Sequence, residues 1–375
     1  MKLTVIKFIL TVILIAFYSY LFEHPNYKTN TSFPDSISTV NLTFVGDIMC
    51  HLPEIKAAQI EKDSFDFKPV FQYVKKYLDT SDITFGNLET VIGKQKDNYK
   101  GYPLFNSPPE LLEALKYAGF DFLFTSNNHA FDQGYNGLKR TLNAIKENGM
   151  QAAGTYVSKD DYDSLLIIFK NNIKIGILAY TYDLNLKLKK EHKYCIKFLD
   201  TLLIKDEIRK LKEKGAEIVI VYFHFGDEYK RKVSNYQKKI VNKTIEYGAD
   251  LIIGSHPHVV QPMKLLSSNK SKIKKVFVAY SLGNFLSNQR WRYSDSGVIL
   301  NVVIKKNNQS KEINFENISI IPTWVYKSKF NNRDNFLIVP SDSTLIKNLS
   351  FLSNVDKMKI LRAYNDVMEM YSCTK

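Results

Sequence analysis

Leu251-Ile252-Ile253-Gly254-Ser255-His256-Pro257-His258 joins a short apolar run to a glycine turn and two histidines. The run has the length of a buried strand. The same order recurs on both sides of it. Leu42 to Val45 is followed by Gly46-Asp47, and Ile83 to Phe85 by Gly86-Asn87-Leu88-Glu89. Phe122 to Thr125 is followed by Ser126-Asn127-Asn128-His129. Ile218 to Phe223 leads into His224-Phe225-Gly226-Asp227-Glu228, and Val276 to Tyr280 into Ser281-Leu282-Gly283-Asn284.

Helix-like stretches lie between these runs: Pro109 to Ala118, Tyr135 to Asn148, Asp206 to Lys214 and Asn235 to Tyr247. Each carries an apolar stripe and stops at a glycine suited to a left-handed cap. Strands alternating with helices predict an α/β fold with largely parallel sheets. Ligands in such folds gather beyond the carboxyl ends of the strands, which is where the polar residues fall. Around Asn301 the pattern changes. Val298 to Ile304 and Ile313 to Ile321 read as antiparallel strands, and Val355 to Tyr371 as a final helix.

A dinuclear metal centre needs carboxylate, amide-oxygen and imidazole ligands, with one carboxylate shared between the ions. Asp47, Glu89, Asn128, His224, His256 and His258 supply that set. Taken singly they have plainer readings: capping or turn residues for Asp47 and Asn128, a solvated charge for Glu89, a core histidine for His224, a surface turn for His256 and His258. Their joint occurrence at successive strand ends favours the centre. An extended His256-Pro257-His258 segment would point both imidazoles the same way.

The strings TFVGDIM, GNLET, SNNHAFDQG, HFGDEY, GSHPHVVQP and YSLGNF resemble those of the CapA family, over about Val40 to Asn301 and in the family's order. That family is associated with capsule and poly-γ-glutamate synthesis. The resemblance implies a metallophosphatase-like sandwich of two mixed sheets flanked by helices. It also implies divalent metal ions, two in number, with Mn, Fe, Zn and Mg not distinguished. Asp47 and His258 would hold the first metal, Glu89 would bridge, and Asn128, His224 and His256 would hold the second. His129 would be the proton donor, with Asp132 orienting it or capping the following helix. Asn284 and Glu228 would line the pocket or tie turns together. Where many metallophosphatases carry Asp-x-His, this chain has Met49, with His51 two residues on.

The expected organisation is a membrane signal-anchor helix over 1–22, a linker over 23–39, the main domain over 40–301, and strands and a helix over 302–375 that complete it. Lys2 and Lys7 precede an apolar run from Phe8 to Phe22, and no small-x-small cleavage site follows. The positive-inside rule then places the domain outside the cell. The chain has 375 residues and a formal charge of +14. The Lys residues are spread along the chain, which reads as compositional drift that serves solubility; the charge would also suit an anionic polymer or phosphoester substrate. No nucleic-acid module accompanies it, so nucleic acid is not an expected partner. Cys50, Cys195 and Cys373 form no disulfide framework. The reading is an anchored two-metal hydrolase or transferase of capsule synthesis. The alternative is a non-catalytic anchored subunit of a capsular polymer synthesis or export complex, in company with other capsule synthesis subunits.

Overall fold

The computed structural model describes residues 36–94, 98–330 and 333–371. The expected anchor over 1–22 and most of the linker lie outside them. Among the described residues no helix is long and apolar enough to cross a membrane. The strands run in chain order as β1 (Ile37–Ile48), β2 (Gln59–Glu61), β3 (Ser64–Phe65), β4 (Ile83–Leu88), β5 (Phe122–Phe124) and β6 (Gln151–Ala153). Next come β7 (Leu166–Lys170), β8 (Ile173–Thr181), β9 (Ile218–His224), β10 (Leu251–Ser255) and β11 (Met263–Ser267). The last are β12 (Lys275–Ala279), β13 (Asn284–Leu286), β14 (Ser296–Asn307), β15 (Ile313–Phe330) and β16 (Arg333–Pro340). β1 thus begins inside the stretch read as linker.

Two mixed sheets form the body. The first runs β16-β15-β14-β1-β4-β5-β6, with β13 paired to β1; the second runs β11-β12-β10-β9-β8-β7. β1, β4, β5 and β6 are mutually parallel, as are β8, β9, β10 and β12. The antiparallel members are β14, β15 and β16 in the first sheet and β7 and β11 in the second. The expectation of largely parallel sheets therefore holds for the β1-β4-β5-β6 half of the first sheet, with β14 to β16 antiparallel on the other side, and for the second sheet apart from its two edges, β7 and β11.

Side chains of a strand alternate between its faces, and here both faces are covered, so the runs read as continuously apolar. In β9, Ile218, Ile220 and Tyr222 face the core between the sheets, while Val219, Val221 and Phe223 face the outer helices. Phe124 of the first sheet stacks on Tyr222 of the second, with ring centroids 4.2 Å apart and planes 7° from parallel. Leu111, Leu112 and Leu115 of the helix Glu110–Ala118 cover the outer face of the first sheet. Ile204, Ile208 and Leu211 of Thr201–Glu213, with Ile240 and Val241 of Asn235–Tyr247, cover the second. Each fully buried side chain of this kind contributes about 1.5–3 kcal/mol. Cys50 packs as a small buried hydrophobe.

Gly46, at the end of β1, brings the two layers of turns together. A Cβ there would lie 1.8 Å from the Gly283 carbonyl oxygen, and the amide of Asp47 donates to that same oxygen at 2.9 Å. The absence of a side chain at Gly46 is therefore what lets Asp47 sit against the β13 turn, where it pairs in register with Asn284.

Candidate metal centre

The predicted ligands converge because the carboxyl ends of both parallel strand sets open at one edge of the sandwich. From the first sheet come Asp47, the next-to-last residue of β1, Glu89 directly after β4, and Asn128 and His129 after β5. From the second come His224, the last residue of β9, and His256 and His258 after β10. Every one of these side chains is buried, Asp47, Glu89 and His224 completely.

Three overlapping groups have ligand atoms within 4.8 Å of one another: Asp47, Glu89 and His258; Glu89, His224 and His256; and Glu228, His256 and His258. Glu89 belongs to the first two. Its Oε1 lies 3.6 Å from His224 Nε2 and 3.9 Å from His258 Nε2, so one oxygen faces both halves. Asn128 Oδ1 lies 2.8 Å from His224 Nε2, and His258 Nδ1 lies 3.0 Å from Asp47 Oδ2. His51 belongs to none of the groups. It faces Glu54 at 3.7 Å and accepts from the Asn288 amide at 3.3 Å.

The expectation of an extended His256-Pro257-His258 segment is corrected by the backbone. His256 has φ +100° and His258 φ +57°, in the left-handed region that non-glycine residues rarely occupy. The segment is a bend, held in part by the Tyr229 amide donating to the Pro257 carbonyl at 2.7 Å. The bend still turns both imidazoles inward, with ring centroids 5.8 Å apart. Strained backbone of this kind, costing about 1–3 kcal/mol per residue, clusters at ligand sites.

The electrostatics fit cations. Burial pushes the Glu89 carboxyl well above its ordinary range, and the neighbouring Asp47 carboxylate pushes it further. Burial pushes Asp47 up too, but its hydrogen bond to His258 and the charge there bring it below the usual value. Burial, then the other histidines, hold His224 well down and bring His256 down to about 3. The imidazoles of His224 and His256, held uncharged, stand beside two buried carboxyl groups, a combination suited to metal ligation. Glu89 Oε1, His256 Nδ1 and Asn284 Oδ1 are buried without a hydrogen-bond partner. A buried polar atom left unpaired costs about 1–3 kcal/mol, and divalent cations would satisfy this donor set. The residues present therefore fit the metal-binding expectation.

Asparagines that the strand-end reading passed over hold the ligands in place. Asn87 donates to Asp47 Oδ1 at 2.8 Å and to Glu89 Oε2 at 3.1 Å, so one amide aligns both carboxylates. Asn127 donates to Asn87 Oδ1 and to the Leu88 carbonyl. Both lie inside the motifs quoted above, and their burial is the clue that alternation within the turn could have given. Asn185, in the loop after β8, has no such clue. Its amide lies 3.1 Å from His129 Nδ1 and 3.4 Å from Nε2.

His129 is set beside the metal ligands rather than among them. Its Nδ1 lies 2.7 Å from Asp132 Oδ2, and that oxygen also accepts from the Phe105 amide at 2.8 Å. Asp132 does not cap the next helix, Gly134–Glu147, whose cap residue is Gln133. Asn284 is buried alongside Asp47; its amide donates to Gln289 Oε1 at 3.0 Å and to the Ser294 carbonyl at 2.8 Å. Glu228 is exposed at the mouth.

The fold is a two-sheet α/β sandwich with a cluster of carboxylate, amide and imidazole side chains at its strand ends. A family model described as bacterial capsule synthesis protein PGA_cap matches residues 41–289, and the chain belongs to that family. It is similar to the capsule biosynthesis protein CapA of Bacillus anthracis, 32% identical over 272 residues. That match covers 69% of this chain and 63% of the relative, so the chain spans under two thirds of that protein's length. It is also similar to the PGA biosynthesis protein CapA of Bacillus subtilis (strain 168), 30% identical over 292 residues, covering 76% of this chain and 72% of that one. Among solved structures, it is similar to the calcineurin-like phosphoesterase YfkN from Bacillus subtilis. The identity there is 14%, the TM-score 0.44, and the coverage 89% of this chain and 98% of that one.

Proposed function

We propose that this protein is a metal-dependent hydrolase or transferase of capsule polymer assembly, acting outside the cell on a phosphoester or on an anionic polymer. One observation carries the proposal. A cluster of buried ligands with an unpartnered carboxylate oxygen at its centre stands next to a histidine fixed by its own carboxylate. A structural core would have no need of the second feature.

Asp47 and His258 would hold one ion, Asn128, His224 and His256 the other, with Glu89 between them. When bound, such ions polarise the scissile group and make water acidic enough to attack near neutral pH. The chain's own residues do the rest. Asn87 fixes both carboxylates. Asp132 accepts a hydrogen bond from His129 Nδ1–H, so the form that acts as acid is the imidazolium, whose Nε2 proton goes to the leaving atom and which is left as neutral imidazole. The His129 ring is held edge-on to Phe105, with centroids 4.7 Å apart.

Asp132→Asn is the test of that positioning role. An amide in place of the carboxylate should lower kcat by about 10–100-fold with KM and metal content unchanged. Loss of folded protein would show Asp132 to be structural instead.

The exported, anchored location belongs to the same proposal. Lys2 and Lys7 before an apolar run from Phe8 to Phe22 support it. External protease added to intact cells should remove the domain carrying His224 and His256 while leaving cytoplasmic markers whole. Protection of the domain until the cells are lysed would refute the exported placement. Purified protein should then be screened against phosphoesters and γ-glutamyl polymers with Mn and Zn supplied.

A further inference from the structure

The loop that follows β8 crosses from the second sheet to the first and meets one half of the ligand cluster. Thr181 ends β8, and the chain then turns sharply. Thr181 Oγ1 donates to the Asp183 carbonyl at 3.0 Å, and Asp183 Oδ1 accepts from the Leu184 amide at 2.8 Å. Side-chain bonds of this short range tighten a turn. The Tyr182 amide donates to the His224 carbonyl at 3.0 Å, and the Tyr182 ring lies 4.6 Å from that of His256. Three residues on, the Asn185 amide donates to the Asn128 carbonyl at 2.9 Å. His224, His256 and Asn128 are the three residues assigned to the second ion alone. Among the described residues, the hydrogen bonds and ring contacts of Tyr182 and Asn185 go to those three and to His129, and none goes to Asp47 or His258.

The Asn185 side chain has a more particular task. A primary amide has two ends of nearly equal size, an oxygen that accepts and an NH2 that donates. The oxygen alone can ligate a hard cation. Half a turn of the Asn128 amide would present the NH2 instead. In the structure Asn128 Oδ1 faces the cluster, 2.8 Å from His224 Nε2, and Asn128 Nδ2 donates to Asn185 Oδ1 at 3.3 Å. A reversed Asn128 amide would set its oxygen against that of Asn185.

Asn185 is itself held. Its Nδ2 lies 3.1 Å from His129 Nδ1 and 3.4 Å from Nε2. Those nitrogens stand on opposite sides of the imidazole, so an in-plane bond to one would leave the amide far from the other. Near-equal distances put the amide over the ring face, where an N–H meets the π cloud and an oxygen would be repelled. The in-plane bond between His129 Nδ1 and Asp132 is left untouched. The His129 ring therefore sets the Asn185 amide, and the Asn185 amide sets that of Asn128.

We propose that Asn185 is a positioning residue for the second ion, selecting the oxygen end of Asn128 as the ligand, and that the loop from Tyr182 to Asn185 supports that ion and not the first. The inference rests on the reading of a two-ion centre and adds that the two ions have separate supports.

The test is a Mn titration of the full-length protein in detergent, followed by calorimetry and by the spin-resonance signal of free Mn. Wild type should take up about two ions per chain. Asn185→Ala should weaken one of them by about 10–100-fold, the usual effect of removing a group that orients a ligand, and leave the other as in wild type. Asn185 is exposed, so the variant should melt with the wild type in chelator. Asn128→Asp supplies the control. A carboxylate has an oxygen at both ends and needs no selection, so adding Asn185→Ala to Asn128→Asp should cost less than about threefold, and the two substitutions should be strongly non-additive. An unchanged second ion in Asn185→Ala, equal weakening of both ions, or the same loss in the Asn128→Asp background would overturn the inference while leaving the two-ion reading in place. A wild type that takes up no second ion would overturn both.

Discussion

Glu89→Gln is expected to empty the centre and to lower activity by about 10³-fold or more, equivalent to ~4 kcal/mol of lost charge stabilisation. Glu89 is the residue whose oxygen faces both histidine groups, 3.6 Å from His224 and 3.9 Å from His258. The amide keeps the shape and can still accept from Asn87, which donates to Oε2 at 3.1 Å. It loses the negative charge that two cations share. Folding should not suffer. Glu89 and Asp47 are both fully buried, and each raises the cost of ionising the other. In chelator the variant should therefore melt no lower than the wild type. Metal analysis, kinetics and melting on the same preparations check this. A variant that binds metal normally would remove Glu89 from the bridging place, and one that fails to fold would show its role to be structural.

His129→Ala is expected to lower kcat by about 10²–10⁴-fold, the usual contribution of a positioned proton donor, with metal content at the wild-type level. His129 touches Asp132, Asn185 and Phe105 rather than the other imidazoles. Truncation therefore removes a proton donor and leaves the ligand set whole. A substrate with a leaving group that needs no protonation, such as p-nitrophenolate, should recover most of the lost rate. The alternative of a non-catalytic capsule subunit predicts otherwise. Under it, His129→Ala would leave capsule production in cells unchanged.

Much of this centre was legible because buried parallel strands write themselves as apolar runs, and each ligand sits within a few residues of a run's end. Asp47, Glu89, Asn128, His224, His256 and His258 all met that description, and the structure brings them to one place. The glycine stops were equally readable: Gly119, Gly149, Gly215 and Gly248 all have positive φ. The β7–β8 hairpin was not legible. Its second strand ends in Thr181 and is followed by Tyr182, neither of which carries a ligand-type signal, so Asn185 in the following loop escaped notice. Neither was the bend at His256 and His258. The residue before a proline prefers extended backbone, and tertiary contacts overrode that preference here. Whether a histidine reaches the centre also depends on neighbours far along the chain. His51 is close to Asp47 in sequence, yet Glu54 and Asn288 hold it elsewhere.

The most direct test of the whole account is the metal content of the purified full-length protein beside that of His256→Ala, after growth with Mn and Zn. The account predicts about two divalent ions per chain in the wild type and a clear loss in the variant, since His256 shares its group with both Glu89 and His224. A wild type without bound metal, or a variant that retains the full amount, would contradict it.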